Sequence, residues 1–176
     1  MFPPLLYMTL GAFILSCCII DRRTRRIPNL LSGMALLVGS GLNALHFGAP
    51  GLLGSLAGAA TMVLVLLAPF ALGGIGAGDV KMMAAIGAFV GPVLAVLALI
   101  TGMVLGGVIM TIHLLRVGRF AEKLTATKTM ILSTVLTGSV EPLRIAADAP
   151  GAISLPYSIP LGLGTALVVT ANLLHP

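Results

Sequence analysis

The feature that most constrains this chain is a series of apolar runs, each bounded by glycine, proline or clustered arginine. Residues 1–20, 30–47, 52–72 and 153–174 each approach the roughly 20 residues needed to cross a bilayer as a helix. A chain of 176 residues that is 58% hydrophobic and only 9% charged cannot bury that apolar surface as a water-soluble globule. The same composition is the opposite of a disordered one. The apolar residues come in runs and not in strict alternation, which argues against a transmembrane barrel. The expected fold is all-α: one polytopic membrane-embedded domain over residues 1–176.

Charge sets the expected topology. Ten Lys and Arg face five Asp and Glu. The basic residues sit in patches between apolar runs, a pattern of membrane orientation and headgroup contact rather than of nucleic-acid binding. No positive residue precedes the first run, whereas Arg22, Arg23, Arg25 and Arg26 follow it. This order differs from a signal peptide, and it places the N-terminus outside and the arginines in the cytoplasm, beside anionic lipid. Gly48, Ala49, Pro50 and Gly51 mark a tight turn.

The stretch 80–115 is too long for one crossing. As a single span it would put Arg116, Arg119, Lys123 and Lys128 outside, against the positive-inside bias. Broken at Gly91-Pro92, it forms a hairpin that keeps them inside. The first arm, 80–90, would then be only about 17 Å long. So short an arm is tolerated only where protein or a watery cavity surrounds it. Within 116–150, Phe120, Leu124, Ile131 and Val135 share a helical face, as expected of an amphipathic helix on the cytoplasmic surface. The expectation is about six transmembrane segments, one of them short, with both termini outside.

Nothing in the pattern calls for a metal or cofactor. Cys17 and Cys18 are adjacent, and neighbours on a helix point about 100° apart, so they do not suit a mutual disulfide. No paired-cysteine spacing occurs, and His46, His113 and His175 fall on different segments.

The five carboxylates are few enough to take singly. Glu141 and Asp148 lie in the polar connection, where solvation explains them. Asp21 ends the first apolar run, and Asp79 opens the fourth behind the glycine-rich stretch 73–78. Ionisable groups at membrane depth are costly and are therefore functional candidates. Each also has a simpler explanation: Asp21 could pair with a neighbouring arginine, and Asp79 could cap its helix. Together they face one water layer from different helices. Two such carboxylates can share a proton. One then takes a proton from water while the other polarises a carbonyl. Gly76 and Gly78 are expected to free the backbone so that an extended substrate can approach closely. Lys81 lies within a turn of Asp79, to tune the pair, touch substrate or reach the headgroups. Pro28 holds Ile27 out of the α region, and Asn29 is a candidate N-cap.

The motif Gly76-Ala77-Gly78-Asp79-Val80-Lys81 resembles the GxGD motif of intramembrane aspartyl proteases, with the continuation found in type IV prepilin peptidases. Asp21 followed by Ile27-Pro28-Asn29 resembles that family's first aspartate motif. Pro156-Tyr157-Ser158-Ile159-Pro160 resembles the segment opening its last helix, with Ser158 where glycine is frequent. The small size resembles the CpaA/TadV branch that serves Flp/Tad-type pili. The resemblance implies an aspartyl endopeptidase of the bacterial inner membrane that removes the leader of prepilin-like proteins on the cytoplasmic side. Asp21 and Asp79 would be the catalytic pair, with Pro156 and Tyr157 shaping the site beside Gly76, Gly78, Lys81, Pro28 and Asn29. The cysteine-bearing cytoplasmic insertion of larger members is absent, so methyl transfer is not expected.

Two other readings use the same residues. A small ion-coupled transporter also places carboxylates and broken helices in the membrane. A pilus-assembly membrane protein without catalysis would use both aspartates as helix ends. Neither predicts the ordered set of motifs.

Overall fold

The computed structural model describes residues 4–118, 120–137 and 157–174. Every element among them is an α-helix: α1 (Pro4–Thr24), α2 (Asn29–Ala71), α3 (Ala77–Val117), α4 (Phe120–Thr137) and α5 (Ser158–Leu174). Three of these, α1, α2 and α3, are long and apolar enough to cross a membrane, and α5 is a shorter apolar helix. Their outward faces carry exposed Leu, Ile, Val and Met, as expected of surface turned to lipid.

α2 takes in the second and third apolar runs, and α3 takes in both arms of the expected hairpin. Each contains one non-helical glycine, Gly48 at φ 64° in α2 and Gly91 at φ 80° in α3. Positive φ costs an L-residue a steric clash that glycine escapes, so the chain breaks at these points. Pro50 and Pro92 follow within two residues and deprive the next turn of a backbone donor. The breaks turn the helices back on themselves. Asn43 before Gly48 bonds Ser55 after it. Asp79 before Gly91 lines the same cavity as Leu99 and Met103 after it. Each of α2 and α3 therefore consists of two helical arms joined at its non-helical glycine.

The first arm of α3, residues 77–90, is about 21 Å long and too short to span the hydrocarbon alone. It begins three residues earlier than the apolar pattern suggests, because Gly76 and not Asp79 caps it. It survives by being enclosed: every residue from Met82 to Val90 is buried. Association between membrane helices gains little from water exclusion and depends on close packing. Gly58 of α2 and Gly87 of α3 meet backbone to backbone, and a Cβ on either would strike the other chain. Gly102 of α3 and Gly164 of α5 make the same kind of contact. Phe89 fills the space above Gly39.

The break in α3 leaves acceptors that the membrane cannot satisfy. The Ala88 carbonyl would ordinarily bond the N–H of residue 92, which is proline. Asn43 substitutes for it: its Nδ2 donates to Ala88 O and Phe89 O, each at 3.0 Å, and to Ser55 Oγ at 2.9 Å. Asn43 is buried, and its two N–H groups are shared among three acceptors.

α1 buries Leu6, Leu10, Phe13, Ile14, Cys17 and Asp21, a stripe at helical spacing that ends in a carboxylate. Asp21 therefore belongs to the core face of α1 and not to its arginine-rich end. Cys17 and Cys18 are free thiols. α4 occupies part of the stretch where an amphipathic helix is expected, with Leu124 exposed. The side chains of Phe120, Ile131 and Val135 lie outside the described ones, as do Pro156, Glu141, Asp148 and His175.

Candidate active site

Asp21 sits in the last turn of α1, which closes through Arg25 at φ 53° and its N–H bond to the Asp21 carbonyl at 2.8 Å. Its carboxylate turns inward and is nearly buried. Ser158 Oγ, at the start of α5, donates to Asp21 Oδ2 at 2.6 Å. Arg22, Arg23, Arg25 and Arg26 are exposed. The inward face of Asp21 follows from its spacing: it lies four residues after Cys17 on the buried stripe.

Asp79 occupies the third position of α3. Gly76 is the N-cap, in extended backbone at φ −75° and ψ 149°. The Asp79 carboxylate reaches back to the Gly76 backbone, the reciprocal half of a capping box. Of the two readings open for Asp79, the N-cap one does not hold as stated: Asp79 stands three residues after the cap, where a carboxylate still meets free amides.

The expected role of the two glycines also changes. Gly76 is extended in a way any residue permits, and Gly78 is helical. Positive φ occurs instead at Gly73, where the chain turns out of α2. Neither glycine is required by its backbone, and a Cβ at either would meet its neighbours at about ordinary contact distance. A Cβ at Gly76 would stand 3.4 Å from Asp79 Oδ2, and one at Gly78 would rest on the buried Ile27 side chain.

The two aspartates are brought together. Asp21 and Asp79 lie within electrostatic reach of each other, although the whole of α2 and the loops at its ends separate them in sequence. Tyr157 and Ser158 link them from the other side. Ser158 bonds Asp21, and its neighbour Tyr157 lines a cavity of about 210 Å³ that includes Asp79. Leu66, Pro69, Ile75, Leu99, Met103 and Leu161 complete its apolar walls. Half-buried Asp79 is the carboxyl group among the described residues that line this space.

Lys81 and Asn29 form a second pair: Lys81 Nζ donates to Asn29 Oδ1 at 2.7 Å. Asn29 is therefore not the N-cap of α2. Pro28, in extended backbone, holds that place with no side-chain cap bond. Its fixed φ brings the chain into the helix, and the Asn29 side chain is left to tie the start of α2 to the start of α3. Lys81 remains exposed beside the site.

Sequence reasoning missed the role of Ser158, noticing only its departure from glycine. The available signal was its place directly after Pro156-Tyr157, at the start of an apolar run. Asn43 carried no motif at all.

Residues 8–111 match the model of the type IV leader peptidase family. No curated protein and no solved structure matches the chain. The matched segment contains Asp21, Asp79, the glycines before Asp79, all of α2, and α3 as far as residue 111. On that match, which spans more than half its length, the chain belongs to the type IV leader peptidase family.

Proposed function

We propose that this protein is an intramembrane aspartyl endopeptidase that removes the leader from Flp/Tad-type prepilins and pseudopilins. The observation that carries the reading is that Asp79 lines an apolar cavity together with Tyr157, whose neighbour Ser158 holds the carboxylate of Asp21, a residue within electrostatic reach of Asp79. One carboxylate takes a proton from water as the water oxygen attacks the scissile carbonyl. The other, protonated, donates to the carbonyl oxygen. The tetrahedral intermediate then collapses: the C–N bond breaks and the departing amine takes up a proton from the dyad. The apolar cavity suits the hydrophobic segment that follows a pilin leader. Neither metal nor covalent intermediate enters this scheme.

In this reading each hairpin of α2 and α3 crosses the bilayer twice. With α1 and α5 that makes six crossings, with both termini outside. The site then faces the cytoplasm across the bacterial inner membrane, and the exposed Arg22, Arg23, Arg25 and Arg26 meet anionic headgroups. Methyl transfer is not part of the proposed activity.

The test is prepilin processing in cells lacking any other leader peptidase. Wild-type protein should yield mature pilin, whereas Asp21→Asn and Asp79→Asn should insert normally and leave the precursor intact. Processing by either variant would overturn the dyad.

A further inference from the structure

The hydroxyl of Ser158 is fully buried at the start of α5. It donates to Asp21 Oδ2 over 2.6 Å, at the short end for a hydroxyl donor. The hydroxyl is not what docks the two helices. Cys18 Sγ donates to the Ser158 backbone carbonyl at 3.4 Å, a contact that does not involve Oγ. Gly162, one turn along, lies against Ile14 and Cys18 of α1. The packing of α5 on α1 thus has its own contacts, and the Ser158 hydroxyl is spent on the carboxylate alone.

A carboxylate turns easily about its last torsion, which has broad, roughly two-fold preferences. An aspartate nearly buried at the end of a helix would still exchange or tilt its two oxygens. Engaging Oδ2 removes that freedom. We infer that Ser158 is a positioning residue for Asp21: its hydroxyl fixes the carboxylate plane, commits Oδ2 and leaves Oδ1 to deal with water and with Asp79. This inference rests on the dyad reading above.

Misplacing a reacting group by a fraction of its hydrogen-bond geometry costs turnover more than substrate affinity. The expected loss on removing the hydroxyl is roughly 10- to 100-fold in kcat, with KM held within about 2-fold. The experiment measures cleavage of a prepilin-like substrate, a basic leader followed by an apolar helix, by the full chain in liposomes. Wild type, Asp21→Asn, Ser158→Ala, Ser158→Gly and Ser158→Thr are compared, each with its melting temperature. Ala and Gly should lose kcat and keep KM. Thr, which restores a hydroxyl, should recover most of the loss. Glycine removes the hydroxyl without adding bulk, so the inference stays testable if the Ala or Thr variant packs badly.

Wild-type kcat in Ser158→Ala and Ser158→Gly would overturn the inference. So would a loss confined to KM, or a well-folded Thr variant no better than Ala. Those outcomes leave the dyad standing provided that wild type cleaves and Asp21→Asn does not. A silent wild type, or cleavage by Asp21→Asn, would instead bring down the dyad reading and this inference with it.

Discussion

The two ends of the short first arm of α3 handle buried polarity in opposite ways. At the Gly91 end, Asn43 spreads its amide over Ser55, Ala88 and Phe89. Those bonds are mutually complementary, and the group carries no charge. At the other end, Asp21 and Asp79 are two carboxyl groups within electrostatic reach of each other, and Asp79 lines a cavity. Asp21 is held by one hydroxyl, and Asp79 by the backbone at its helix start. A satisfied neutral network rigidifies a break in a membrane helix. A pair of neighbouring carboxyl groups beside a cavity is the kind of arrangement found at functional sites. On the proposed reading, the contrast separates the polar groups of this protein into those that hold it and those that act.

The sharpest way to break the contrast is to neutralise the acidic end. Asp79→Asn keeps an acceptor for Gly76 and should fold, yet activity should fall by at least about 10³-fold, the upper range for losing an acid–base group. Asp21→Asn should do the same. Initial rates normalised to folded protein check both. Charging the neutral end is the converse. Asn43→Asp is nearly isosteric but turns acceptors against two carbonyls, and should cost about 3–5 kcal/mol of stability, the range for an uncompensated buried charge. Unfolding in detergent would measure this, and turnover per folded molecule should change little.

A milder version removes one acceptor from the Asn43 network. Ser55→Ala should lower stability by about 1 kcal/mol without affecting kcat. The smallest effect is expected of Lys81→Met. Its bond to Asn29 is exposed, so the stability change should stay within about 0.5 kcal/mol. A large loss of kcat in that variant would instead place Lys81 within the acting group.

How far the sequence reached follows the same division. The break at Gly91-Pro92 was legible because charge parity and proline chemistry both required it, and the buried first arm followed from its length. Asp21 and Asp79 stood out because carboxylates at membrane depth are expensive. The simpler cap readings of Asn29 and Asp79 were displaced by position: the cap is the last residue in extended backbone, which is Pro28 for α2 and Gly76 for α3. The glycines before Asp79 were expected to supply unusual φ, but the turn is made earlier, at Gly73. Ser158 and Asn43 were invisible as functional or structural partners. Each meets its target across a long stretch of chain through one small polar group, and neither periodicity nor spacing records such a contact.

The most direct test of the central claim is a cleavage assay with purified components. Wild type, Asp21→Asn and Asp79→Asn in liposomes would each be incubated with a prepilin-like substrate, and the products weighed by mass spectrometry. The dyad requires one cut by wild type, just before the apolar segment, and intact substrate with both variants. The same product from either well-folded variant would contradict it.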